Sequence, residues 1–184
     1  KELKSISFLQ EPNEILAVVK IPDSTSRIES KNNELTLLLE DIQDPGNLGT
    51  IIRMADWFGI EQIICSTSCV DMYNPKVVQA TMGSLLRVNM VYEEVESWIS
   101  QWKKRNTLPV YGAVLDGKNV FQEQLKGGLV IVGNESKGIS EGLKKWMDVP
   151  LTIPKLGKAE SLNVAMATTV LCAEFQRSLL TLQT

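Results

Sequence analysis

The 184-residue sequence contains no histidine. That absence removes Ser-His-Asp and Cys-His nucleophilic catalysis, together with the usual acid/base group of neutral pH. Any chemistry must rest on other residues. Cysteine is scarce: Cys65, Cys69 and Cys172 form an odd set without the spacing of a small secreted domain, which points to a reducing, cytoplasmic setting and to three packing thiols. A zinc site built on Cys65-x-x-x-Cys69 would need two further ligands that the chain does not offer as histidine. No charged leader precedes an apolar stretch, so a secretory signal is not expected. No run approaches the ~20 apolar residues of a membrane span. Strong charge is also missing: a net charge of -3 gives no global positive field, and any nucleic-acid site must be a local patch.

Two nucleotide-binding signatures are absent or broken. No Gly-x-Gly-x-x-Gly follows a strand, so a dinucleotide-type cofactor turn is unsupported. Gly112 to Asn119 resembles a P-loop, but Asn119 stands where a Mg²⁺-binding Ser or Thr is required, and the spacer reads as a strand.

What is present is an ordinary globular composition, 43% apolar and 22% charged, on a length that suits one α/β domain plus a short extra segment. From Leu35 onward short apolar runs alternate with helical stretches, the pattern of a mostly parallel sheet flanked by helices. Strands are predicted at Leu35–Glu40, Gln62–Cys65, Val88–Tyr92, Val110–Leu115, Leu129–Val132 and Val149–Ile153. Helices are predicted at Leu48–Phe58, Lys76–Met82, Glu93–Lys104, Glu141–Trp146 and Ser161–Ser178. Residues 22–33 are polar and serine-rich and read as a linker. The apolar run Ile15–Val19 before it cannot bury itself alone, so residues 1–33 are expected to be the remnant of a preceding domain plus linker, and residues 34–184 the principal domain.

Three segments stand out. In the first, Asp44-Pro45-Gly46-Asn47-Leu48-Gly49 follows a buried strand and opens a helix, with Asn47 expected as its N-cap. Leu48, Ile51, Ile52, Ala55 and Phe58 form the core stripe, which leaves Gly49 and Arg53 one turn apart on another face. Gly49 is expected to let a partner approach beside Arg53, because glycine inside a helix costs ~1 kcal/mol unless close approach is needed. The plainer alternative pairs Arg53 with Asp56 at i,i+3 on a solvated face. In the second segment, the strand Leu129–Val132 runs into the polar turn Gly133-Asn134-Glu135-Ser136-Lys137-Gly138, at the carboxyl end where open parallel sheets bind ligands. The third runs from Ile153 through a basic loop to Ser161-Leu162-Asn163, with Ser161 expected as N-cap and Asn163 as a buried amide in need of partners. The helix that follows is apolar almost all round to Phe175 and must be covered on several sides, by the core and by a second subunit.

Taken in order, these segments resemble the three motifs of the SpoU/TrmH branch of the SPOUT methyltransferases, enzymes that methylate RNA ribose 2′-hydroxyls. The resemblance extends from about Leu35 to Arg177. It implies a deep trefoil knot near the C-terminus, a homodimer packed partly through the last helix, structured RNA (ribosomal or transfer) as substrate, S-adenosyl-L-methionine as cofactor, and no metal. It also implies that residues 1–20 hold the last strand of an N-terminal RNA-binding domain. Arg53, Asn47, Glu135, Ser161 and Asn163 are implied as catalytic, and Gly133, Asn134, Ile153, Leu162 and Ser161 as cofactor-binding. The family proposal makes the residue matching Arg53 a proton acceptor. A guanidinium is effectively always protonated, so stabilisation of a developing alkoxide stays open as the alternative role. A non-catalytic RNA-binding dimer on the same fold is the rival reading.

Overall fold

The computed structural model describes residues 2–7, 18–21 and 34–181. Its centre is a six-stranded sheet in the order β3-β2-β1-β5-β4-β6, formed by β1 (Leu35–Leu39), β2 (Gln62–Ser66), β3 (Asn89–Glu93), β4 (Val110–Asn119), β5 (Gly128–Val132) and β6 (Val149–Thr152). Every neighbouring pair is parallel. All five residues of β1, β2 and β5 are buried, the condition of strands covered on both faces.

The covering layers are α2 (Pro45–Trp57), α3 (Pro75–Thr81), α4 (Val95–Arg105), α5 (Glu141–Lys144) and α6 (Val164–Thr181). Leu37, Leu39 and Val130 turn to a core shared with Ile51 and Ile52 of α2, Val77 of α3 and Phe175 of α6. Leu38, Ile64 and Ile131 turn the other way, to Trp98 and Trp102 of α4 and Leu143 of α5. Alternation along each strand therefore sends neighbouring residues into different layers. Where β1 is flanked by β2 on one side and β5 on the other, the winding reverses. The carboxyl ends of β1 and β5 meet there, the switch point at which open α/β sheets bind ligands.

The α/β class and all six strands match the sequence expectation, with boundary shifts. β4 runs to Asn119 rather than Leu115, and its pairing with β6 shifts register between Ala113 and Lys118. The N-cap of α2 is Asp44, not Asn47: the Asp44 carboxylate accepts from the Asn47 N–H at 2.8 Å. Pro45 then takes a first-turn position where a missing N–H costs nothing. Likewise α6 starts at Val164, capped by Asn163 rather than Ser161, because Asn163 Oδ1 accepts from the N–H groups of Ala165 and Met166 at 3.0 and 3.2 Å. Glu2–Ile6 is a short helix, α1, so the strand expected within residues 1–20 does not begin there. The remainder of that expectation, and the linker 22–33, fall on residues 8–17 and 22–33, outside the described residues.

Gly49 serves a different purpose from the one expected. A Cβ there would stand 2.5 Å from Ala80 Cβ and 3.0 Å from the Val77 carbonyl oxygen. The glycine is what lets α3 lie against α2, and it opens no space for a ligand.

Candidate active site

The three sequence segments converge at the switch point. Asn47 Nδ2 donates to Glu135 Oε1 at 2.9 Å, and Asn47 Oδ1 accepts from Asn163 Nδ2 at 2.9 Å. Asn47 is thus the middle of a chain that joins the first turn of α2, the turn after β5 and the cap of α6. Each amide is used fully in direction, one side donating and the other accepting. Asn163 is exposed rather than buried, and its oxygen is committed to capping α6. Its amide nitrogen is consequently fixed toward Asn47.

The turn after β5 is closed by a pair of backbone bonds between Asn134 and Gly138, at 3.1 and 2.9 Å. Gly133 is buried with its α-carbon against the returning backbone, and a Cβ there would overlap atoms of Gly138 and Ile139. Gly138 has φ of 68°, the left-handed geometry that glycine adopts without strain.

Beside this turn lies a half-open cavity of about 720 Å³, walled by the ends of β4, β5 and β6 and by the loop from Ile153 to Leu162. Gly133, Asn134, Glu135, Ile153, Ser161 and Leu162 all line it. Leu162 is 54% exposed and Leu156 is 98% exposed, so the loop presents apolar side chains at the mouth. Asn47 and Asn163 are not part of the wall, and Asn47 is joined to it through its bond to Glu135. Among the described residues no group of three or more His, Cys, Asp or Glu is placed to hold a metal ion, and no helix is long and apolar enough to cross a membrane.

Arg53 is exposed on α2 and belongs neither to the amide chain nor to the cavity wall. The i,i+3 pairing with Asp56 does not form. Asp56 is clamped by Arg87, whose Nε and Nη2 donate to it at 2.9 and 2.7 Å, and it also accepts from Ser84 Oγ at 2.7 Å. The Arg87 and Ser84 hydrogen bonds hold the Asp56 carboxyl below its usual range. The acidic neighbour of Arg53 is thereby occupied, and the guanidinium has no side-chain partner among the described residues.

Sequence reasoning missed two acidic residues at the end of β1. Glu40 Oε2 accepts from the Ser140 N–H at 2.8 Å, and Asp41 binds Asn134. Their position after a buried strand was the available signal. Near them Cys69 accepts from the Ile42 N–H at 3.3 Å. Hydrogen bonding from Cys65, and more weakly from Ser66 and Ile42, draws the Cys69 thiol down to about 7 against the opposing effect of burial, while Cys65 is pushed up.

Comparison with known proteins gives consistent matches. The SpoU rRNA Methylase family model matches residues 34–173. The chain is 33% identical over 169 residues to the 23S rRNA (guanosine(2553)-2'-O)-methyltransferase RlmP of Bacillus subtilis, covering 91% of this chain and 66% of that protein. A TrmH-family protein structure from Porphyromonas gingivalis superposes with a TM-score of 0.86 at 40% identity, over 95% of this chain and 70% of that one. The SpoU methyltransferase AviRb from Streptomyces viridochromogenes, solved with AdoMet, superposes with a TM-score of 0.79 at 30% identity, over 88% of this chain and 67% of that one. The chain spans just under two thirds of the length of the Bacillus relative.

Proposed function

Because this chain belongs to the SpoU rRNA Methylase family, matched over residues 34–173, we propose that it transfers a methyl group from S-adenosyl-L-methionine to a ribose 2′-hydroxyl of structured RNA, with ribosomal RNA as the substrate. The observation that carries this reading is the chain Glu135, Asn47, Asn163, which links three distant segments at the edge of the cavity. RlmP is named for 23S rRNA, which supports ribosomal over transfer RNA.

The cavity suits the cofactor. Its volume of about 720 Å³ falls within the roughly 300–1,000 Å³ of small-molecule sites. Its apolar walls suit an adenosine, and the polar turn at 134–138 suits the charged end. Gly133, Ile153 and Leu162 would hold the molecule largely through backbone groups, with Asn134 and Ser161 beside them. Bound there, S-adenosylmethionine supplies an already activated sulfonium methyl group. The chain's own residues then have two tasks, orienting the ribose and stabilising the oxygen as its proton leaves. Arg53, with its guanidinium uncommitted, grips a phosphate and stabilises the developing alkoxide. Asn47 and Asn163 hold Glu135 in place, and Ser161 offers an exposed hydroxyl to the substrate. The loops around the cavity are those that would form the trefoil knot.

Three further features of the reading are a homodimer, a cytoplasmic location and an RNA-binding role for the N-terminal segment. For the dimer, Met166 and Leu180 of α6 are 57% and 63% exposed, apolar surface of the kind a second copy covers. Sedimentation equilibrium at twice the 20.5 kDa of one chain is the check, and a monomer at all concentrations would remove the dimer. The buried, unpaired cysteines and a ribosomal substrate both support the cytoplasm.

The deciding experiment titrates S-adenosylmethionine calorimetrically into wild type and Leu162→Arg, then incubates the wild type with ribosomal RNA. Saturable binding lost in the variant, and one nucleotide newly resistant to alkaline cleavage, are expected. Binding without resistant product at any nucleotide would favour the non-catalytic RNA-binding dimer instead.

The clamp on Asp56 yields a separate expectation. In Arg87→Ala, Asp56 is free to pair with Arg53 one turn away, an interaction of ~0.2–0.5 kcal/mol. Methyl transfer is expected to fall by roughly two-fold, and Arg87→Ala/Asp56→Ala is expected to restore it. Equal loss in both variants would show that Arg87 acts some other way.

A further inference from the structure

We propose that Asp41 is a positioning residue that fixes the Asn134–Gly138 turn against the cavity; the proposal rests on the reading of that cavity as the S-adenosylmethionine site. Asp41 lies just beyond β1 with φ of 56°, a left-handed conformation that few residues other than glycine adopt and that Asp tolerates better than most. Its own N–H is held by Ser66 Oγ at 2.9 Å. In that conformation its carbonyl oxygen and its carboxylate face the same group. Asn134 Nδ2 donates to the Asp41 carbonyl at 2.8 Å and to Oδ2 at 3.1 Å.

Two acceptors on one amide nitrogen settle which way round the Asn134 side chain lies. Its oxygen is then left to accept from the N–H groups of Ser136 and Lys137, at 2.9 and 3.0 Å, which is what folds the turn over Glu135. Glu135 in turn receives Asn47. The Asp41 carboxylate is itself steadied: Oδ1 accepts from Gln43 Nε2 at 2.9 Å, Lys137 Nζ stands 4.0 Å from Oδ2, and the side chain is only 19% exposed. Asp41 does not line the cavity, whereas Asn134 through Gly138 all do. Its influence on a ligand therefore passes through the turn, chiefly by the two bonds from Asn134.

Glycine can take the same φ without strain. Asp41→Gly thus removes the carboxylate while preserving the backbone and its carbonyl acceptor. Asp41→Asn keeps one side-chain oxygen as acceptor and tolerates the same conformation. The test is calorimetric titration of S-adenosylmethionine into the full chain as wild type, Asp41→Gly, Asp41→Asn, Asn134→Ala and Asp41→Gly/Asn134→Ala, with a thermal melt of each. Asp41→Gly is expected to melt within a few degrees of wild type yet bind about ten-fold more weakly, as loss of a charge-assisted bond implies. Asp41→Asn is expected within about three-fold of wild type, and the double variant no weaker than Asn134→Ala alone.

Wild-type affinity in a folded Asp41→Gly overturns the proposal, as do fully additive losses in the double variant. Should Asp41→Gly fail to fold, Asp41→Ser replaces it in the cycle, and wild-type affinity there, or a loss fully additive with that of Asn134→Ala, overturns the proposal equally. Absence of binding by folded wild type would instead sink the cofactor reading, and this proposal with it.

Discussion

Arg53→Ala is expected to slow 2′-O-methylation by about 10²–10³-fold, the range seen when a preorganised donor is removed from a developing oxyanion. Its affinity for S-adenosylmethionine should stay within about two-fold of wild type, because losing a group that acts on the transition state lowers turnover without uniform loss of binding. The prediction is specific because Arg53 sits outside the cavity wall and outside the amide chain. Its side chain makes no hydrogen bond or ion pair among the described residues, so truncation leaves the fold and the cavity intact. Arg53→Lys separates two ways of acting. A point charge keeps much of an electrostatic effect, whereas the planar fork that grips a phosphate in two bonds is lost. A Lys variant near wild type would assign Arg53 to charge stabilisation, and one as slow as Ala would assign it to bidentate grip. Single-turnover rates with saturating cofactor provide the measurement, and an Ala variant at wild-type rate would remove Arg53 from the mechanism.

The architecture around this site was largely legible because the signals were local. Runs such as Leu35–Leu39 and Leu129–Val132 are continuously apolar, and only a strand covered on both faces accepts that pattern. The resemblance of three segments then brought residues far apart in sequence to one end of the sheet. What escaped were features decided by tertiary contact. Asn47 and Ser161 both satisfy a capping rule, yet Asp44 and Asn163 took the caps, and the side-chain amide of Asn47 is bonded to Glu135 and Asn163 instead. Gly49 looked like a ligand approach, but what approaches is α3, which shares no sequence proximity with it. Asp56 looked available to Arg53 until Arg87, 31 residues later, claimed it. Asp41 carried a positional hint only, because its left-handed backbone and its grip on Asn134 depend on the strand beside it.

Gly133→Ala is expected to abolish measurable S-adenosylmethionine binding, an affinity loss of about 100-fold or more, and to lower the melting temperature by several degrees. The reason is steric and has no rotameric escape. The added methyl group would overlap the carbonyl carbon and oxygen of Gly138 and the nitrogen of Ile139, all backbone atoms. To make room, the turn must lift from the end of β5, which breaks the paired bonds between Asn134 and Gly138 and turns Asn134 away from Asp41. Overpacking of this kind costs about 1–3 kcal/mol even where side chains can adjust, and backbone adjusts less. Because the same turn carries Glu135, the amide chain to Asn47 and Asn163 would lose its end as well. Gly157 supplies the control: it lies in the loop on the cavity's other side, yet a Cβ there meets nothing within 4 Å. Gly157→Ala should therefore melt as wild type and bind the cofactor within about three-fold of it. Calorimetry and thermal melts of both variants discriminate. If Gly133→Ala binds as Gly157→Ala does, the close approach at Gly133 is not what shapes the cavity, and the turn must be held by its side-chain bonds alone.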